Sequence, residues 1–114
     1  MGQQEKIIEN AILEYLWMKG VFCWKQQTIG VYDSKKKTYR KRSKFQLAGI
    51  SDILGILPNG TFFAIEVKTF EPKKYASPDQ KEFIKKVNEC FGAAFVARSI
   101  DDVIKGFAEY GIIL

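Results

Sequence analysis

Asp52, Glu66 and Lys68 are the residues of this chain whose types and spacing could do chemistry together. Two apolar runs, residues 50–57 and 61–69, flank Pro58-Asn59-Gly60. That triplet matches a three-residue hairpin loop, with Pro58 and Asn59 right-handed and Gly60 left-handed as the bulge residue. If Leu57 opposes Thr61 across the loop, the register sets Asp52 opposite Glu66, both on one face and about 5 Å apart. Lys68 shares that face by strand alternation, while Phe63, Ile65 and Val67 point into an apolar layer. Two carboxylates at that separation, joined by a backbone carbonyl and by Glu9 or Glu5, would make a hard oxygen cage for a divalent cation. Such an ion polarises a phosphate ester and activates water, and Lys68 could position that water or stabilise the developing charge. The plainer alternative is that Lys68 neutralises two edge carboxylates on a solvated face.

The elements that must position these groups follow from periodicity and punctuation. A first helix is predicted over about residues 4–19, ended by Gly20, with Ile7, Ile8, Ala11, Ile12, Tyr15 and Leu16 on one apolar arc. Glu5 falls inside that arc and Glu9 on its margin, an odd place for a charge on a core-facing helix. Helix-dipole placement and snorkelling are the bland explanation. Residues 21–32 read as a strand, followed by a basic loop and then the hairpin. Ser77-Pro78-Asp79-Gln80 is a strong helix start: Ser77 as N-cap, Pro78 at the first helical position, and Gln80 closing a capping box. Phe83, Ile84, Val87 and Phe91 are expected to form the buried face of this helix, and Gly92 to end it. A short strand at 93–97 and a last helix over about 101–109 complete an order α-β-β-β-α-β-α. The expected class is α/β, a mixed central sheet flanked by helices, with a parallel pairing across the 77–91 helix.

Composition bounds the chemistry further. The 114 residues, 46% of them hydrophobic, suit one domain, residues 1–114, with one core. The chain has no histidine, which excludes Ser-His-Asp and Cys-His catalysis and histidine-ligated zinc. A metal would be held mainly by oxygen, favouring Mg²⁺ or Mn²⁺. Cys23 and Cys90 lack CxxC or Cys/His spacing and are expected to be reduced, buried thiols. Neither a secretory signal nor an apolar run of spanning length is evident, so the expectation is a soluble, cytoplasmic protein with no membrane partner. The net charge of +5 is local: the stretch from Asp33 to Gln46 alone carries +6. Its Lys35, Lys36, Lys37, Arg40, Lys41, Arg42 and Lys44, interleaved with Tyr39 and Phe45, read either as a solvated loop or as a nucleic-acid contact surface.

Asp52 followed across a short hairpin by Glu66-Val67-Lys68 resembles the motif of the PD-(D/E)XK nuclease superfamily, with Ser51 in place of the motif's proline. More narrowly, Gly49-Ile50-Ser51-Asp52, Ala64-Ile65-Glu66-Val67-Lys68, Ser77-Pro78-Asp79-Gln80 and Gly92-Ala93-Ala94 look like the stand-alone, phage-type VRR-NUC domains, over nearly the whole chain. The resemblance implies a restriction-endonuclease-like core and a Mg²⁺- or Mn²⁺-dependent DNA endonuclease acting on branched or flapped DNA. It implies Asp52, Glu66 and the Val67 carbonyl as metal ligands, and Lys68 serving the nucleophile. Glu9 would be the first-helix ligand, with Glu5 the alternative, and Gln80 would border the site. Stand-alone members resemble Holliday-junction resolvases in working as homodimers. Trp17, Trp24, Phe107, Tyr110 and Ile112-Ile113-Leu114 offer material for such an interface. The alternatives are a flap- or single-strand-directed nuclease, and a catalytically weak nucleic-acid-binding module on the same fold.

Overall fold

The computed structural model describes residues 2–26, 32–33, 38–39 and 44–114. Helix α1, Gln3–Met18, leads into β1, Phe22–Lys25. Two short strands, β2 (Tyr32–Asp33) and β3 (Thr38–Tyr39), pair antiparallel as a separate ribbon. The hairpin strands are β4, Ile53–Ile56, and β5, Phe62–Val67. Helix α2 spans Pro78–Glu89, β6 spans Ala93–Ala97, and α3 spans Ile100–Glu109. The main sheet runs β1-β4-β5-β6, with only the β5–β6 pair parallel. This is the mixed α/β sheet flanked by helices that the sequence predicts, including the parallel crossover through α2.

The hairpin forms in the expected register, with Ile53 opposite Ile65 and Ile56 opposite Phe62. Gly60 takes the left-handed conformation, and the Leu57 N–H donates to the Thr61 carbonyl at 2.8 Å. Asn59 adds a side-chain acceptor for the Thr61 N–H at 3.0 Å, which locks the loop.

Strand alternation divides the core in two. Ile53, Phe63, Ile65 and Val67 pack with Ile12 and Leu16 of α1 and Val103 and Phe107 of α3. On the opposite face Leu54, Ala64 and Ala94 meet Phe83, Ile84 and Val87 of α2. The second layer is thin: α2 has no fully buried residue. Its helix starts as predicted, with the Ser77–Gln80 capping box complete. Its end differs from expectation. Phe91, not Gly92, takes the left-handed position and is 92% exposed. Gly92 is there for space, since a Cβ would come within 2.9 Å of the Phe62 carbonyl and 2.7 Å of Val87. Cys90 is likewise exposed at this end of the helix, contrary to expectation, whereas Cys23 is buried as expected. Among the described residues no helix is long and apolar enough to cross a membrane.

The phase of α1 also differs. Glu9, Ile12 and Leu16 form its buried stripe while Ile7 is exposed, so Glu9 lies at the centre of the contact face rather than on its margin. A buried carboxylate in that position would be expensive without a partner.

Candidate active site

The approach to the site is set by Gly49. Its φ is +73°, and a Cβ there would stand 2.4–2.6 Å from the backbone of Asp79 and Gln80. The segment entering β4 is therefore pressed against the first turn of α2, which only glycine permits. Ser51 follows, fully buried, its hydroxyl without a hydrogen-bond partner. Asp52 stands just outside the β4 ladder, and its carbonyl accepts from the Gln26 N–H at 2.7 Å.

The Asp52 side chain turns back to β5, where Oδ2 accepts from the Val67 N–H at 2.7 Å. The next residue's N–H goes the other way, from Lys68 to the Ala97 carbonyl of β6. The Asp52 carboxylate thus takes the place of the next main-chain acceptor at the end of β4. The expected closeness of the two carboxyls is retained, since Asp52 also lies within side-chain hydrogen-bonding reach of Glu66. Asp52 caps the ladder through the Val67 N–H, while alternation carries Glu66 and Lys68 on the Ala64 side. Asp52 also acts through its charge on Glu9 of α1.

The electrostatics follow from burial. Glu66 is 1% exposed. Desolvation first, then the hydrogen bond and charge of Asp52, push its carboxyl up to about 9, against the lowering effect of Lys68. The Lys68 ammonium lies 3.7 Å from Glu66 Oε2, and Glu66 Oε1 has no hydrogen-bond partner. Glu9, with no exposed surface, is raised by desolvation, lowered in part by Lys25, and raised again by Asp52 and Glu5. Its Oε1 is 3.1 Å from Lys25 Nζ, and its Oε2 has no hydrogen-bond donor.

The donor set fits a hard divalent cation. Glu9 on α1, Asp52 at the entrance to β4 and Glu66 on β5 act on one another through Asp52's charge. Three buried carboxylate oxygens, both of Glu9 and Oε1 of Glu66, lack hydrogen-bond donors, as an oxygen-liganded ion requires, and only Glu9 Oε1 is ion-paired, to Lys25. As they stand, no three acidic side chains among the described residues converge to coordinating distance. Glu5 acts on both Glu9 and Glu66 through its charge but is only half-buried. Of the two helix carboxylates, Glu9 is the one fixed in place.

The remaining predicted residues fall as follows. Val67 is buried, with its N–H on Asp52. The Gln80 Oε1 accepts from the Ser77 N–H at 2.8 Å, so its side chain is engaged in the helix cap. Lys35, Lys36, Lys37, Arg40, Lys41 and Arg42 lie outside the described residues, and Lys44 sits 5.0 Å over the Phe45 ring. Sequence reasoning passed over two features. Lys25 reaches Glu9 from β1. Beyond Lys68, the exposed ring of Tyr75 has the Lys73 ammonium and the Arg98 guanidinium each 5.6 Å from its centroid. A Lys-x-Tyr pair directly after the Glu66-x-Lys68 strand was the available signal for this second basic-aromatic surface.

The sheet order, the crossover through α2 and the helices on both faces define a restriction-endonuclease-like α/β core. A solved structure described as a VRR_NUC domain protein is similar over 96% of this chain and 89% of its own, with a TM-score of 0.55 and 21% identity. At that identity the likeness is one of fold. No family model matches the sequence, and no curated protein does either.

Proposed function

We propose that this chain is a divalent-metal-dependent endodeoxyribonuclease that hydrolyses phosphodiester bonds in branched DNA. The observation that carries the reading is a carboxyl pair at the end of the central hairpin, a buried Glu66 against a half-buried Asp52, with a lysine ammonium beside it. Asp52 is held on the Val67 N–H, and Glu66 has Lys68 at 3.7 Å. The alternative of a neutralised, solvated edge does not suit Glu66, which is 1% exposed and retains an unpartnered oxygen.

Asp52, Glu66 and Glu9 would hold Mg²⁺, with Mn²⁺ able to substitute and the Val67 carbonyl as a further ligand. The bound ion would supply Lewis acidity toward the scissile phosphate and lower the pKa of water. Lys68 orients the attacking water and offsets negative charge as the new P–O bond forms and an ester P–O bond breaks. The buried carboxyls exclude bulk water from one side of that reaction. Gln80 borders the site through its place in the first turn of α2. Lys35, Lys36, Lys37, Arg40, Lys41, Arg42 and Lys44 would contact backbone phosphates, as would Lys73 and Arg98 around Tyr75.

Symmetric cuts in a four-way junction require two sites, which a two-fold homodimer supplies. Uncovered apolar side chains support a dimer, although not all those expected from the sequence. Phe107 belongs wholly to the core, Trp24 is half-buried, and Trp17, Tyr110 and Ile113 are exposed. By register, exposed Phe22, Ile56 and Phe62 add a row across three strands on the α2 side.

Labelled duplex, flap, single-strand and four-way-junction DNA incubated with Mg²⁺, Mn²⁺ or EDTA tests the proposal. Paired nicks in junctions, abolished by EDTA and by Asp52→Ala, are expected from a species of twice the chain mass by light scattering. Cleavage of flaps alone by a monomer would favour the flap-directed alternative. Metal-independent binding without cleavage of any substrate would leave the binding module.

A further inference from the structure

Lys25 is the cation that the hairpin motif does not account for. Its Nζ lies 3.1 Å from Glu9 Oε1; the lysine side chain is 28% exposed and the glutamate side chain 0%. The two partners differ in freedom. Glu9 stands in the buried stripe of α1 with Ile12 and Leu16, so its carboxylate cannot swing into solvent without lifting the helix. Lys25 comes from the last position of edge strand β1, opposite Ile53, and keeps part of its length in water. A long, flexible side chain so placed can withdraw without disturbing the core. Among the described residues no other cation lies within ion-pair distance of Glu9, and the negative charge of Asp52 acts on the same carboxyl.

A buried acid beside another acid needs a compensating charge, and removing its partner is costly. Lys25 supplies that charge in the protein as it stands. We propose that Lys25 is a resident counter-cation of Glu9, which holds the place of a divalent ion at that carboxylate and exchanges with it. Metal loading is then the replacement of one cation by another rather than the filling of a vacant cage. Lys25 is a positioning residue in this scheme: it keeps Glu9 compensated and oriented before loading and lowers metal affinity by competing for the same oxygens. Lys68 is distinct, because it pairs with Glu66 on the hairpin and is assigned to the reaction itself. The inference rests on the proposed nuclease reading only in taking Glu9 as the helix ligand.

The experiment uses the full chain without DNA and reads Mn²⁺ binding by calorimetry and thermal stability in EDTA. Lys25→Met is expected to bind Mn²⁺ more tightly, by about tenfold, as a like charge is removed from a partly screened site. The same variant should melt lower than wild type in EDTA and recover on adding Mn²⁺. Lys25→Arg, which keeps the charge, should stay close to wild type in both. In a Glu9→Gln background, Lys25→Met should no longer change the affinity. If Lys25→Met does not fold, Lys25→Gln is titrated instead and the same outcomes decide. Unchanged or weaker Mn²⁺ binding, or tightening that persists in Glu9→Gln, would overturn the inference alone. A wild-type chain that binds no Mn²⁺ would overturn it together with the metal-dependent reading.

Discussion

The two faces of the central sheet are built to different standards. Toward α1 and α3 the sheet presents Ile53, Phe63, Ile65 and Val67, and Phe107 meets Phe63 and Phe95 edge-on at centroid distances of 5.1 and 5.2 Å. Toward α2 it presents Leu54, Ala64 and Ala94 to side chains that are only half-buried. Large interlocking groups make the first face the source of stability. Small residues on the second let the first turn of α2 come close to the hairpin, as the contact at Gly49 shows. The acidic site at the sheet end is reached from both layers, with Glu9 from the thick one and Glu66 with Lys68 from the thin one. Stability and chemistry are therefore separable by substitution.

The sharpest test of that separation is Glu66→Gln. The carboxyl is buried beside Asp52, so a neutral isostere removes a desolvation cost while keeping a donor for Asp52. Loss of cleavage by on the order of 10²–10³ or more is expected, as for the removal of a group that stabilises transition-state charge. In EDTA at neutral pH the same variant should melt above wild type. A variant that is both inactive and clearly less stable would mean that Glu66 is a structural acid, and the comparison would break.

Next in size is the difference between the two layers themselves. Phe107→Ala removes a fully buried ring and is expected to cost about 3–5 kcal/mol in denaturant unfolding. Phe83→Ala on the α2 side, half-buried, should cost roughly half as much or less. Equal losses would show that α2 carries as much of the fold as α1 and α3.

Much of this arrangement was legible in the sequence, for local reasons. The Pro58-Asn59-Gly60 loop sets strand register through its length and the left-handed Gly60, and that register brings Asp52 to Glu66. Ser77 and Gln80 set the start of α2, and the apolar run at 93–97 matches β6. What was not legible depended on packing. The rotation of α1 decides whether Ile7 or Glu9 faces the sheet, and periodicity alone favoured Ile7. Lys25 and Glu9 meet only because β1 packs under α1, which no spacing rule anticipates. The register placed Asp52 against Glu66, but its hydrogen bond from the Val67 N–H follows from the end of the β4 ladder. Phe91 and Cys90, apolar by composition, are exposed because they follow the end of α2, where Phe91 itself takes the left-handed turn position and Gly92 is packed against Val87 and the Phe62 carbonyl.

The last prediction is a dependence of metal-free stability on pH, and it tests whether the acids buried at the end of the sheet resist ionisation. Burial and Asp52 raise the Glu66 carboxyl from its ordinary 4.5 to about 9, and burial raises Glu9 as well. A carboxyl that is harder to ionise when folded binds more protons in the native than in the unfolded chain between those two values. Stability must then fall as pH rises. In EDTA the Glu66 contribution should be fully present below about pH 4.5 and lost as pH climbs through about 9. Glu66→Gln should flatten this fall, leaving the part that belongs to Glu9, whereas substitutions in the Phe107 layer should shift the whole curve without changing its slope. Saturating Mn²⁺ should reverse the trend, because ligands that must shed protons bind the ion better at higher pH. Melting curves from pH 5 to 9, with EDTA and with Mn²⁺, supply the measurement. Parallel curves for wild type and Glu66→Gln in EDTA would show that Glu66 titrates normally and that the sheet end is not the cation-seeking site described above.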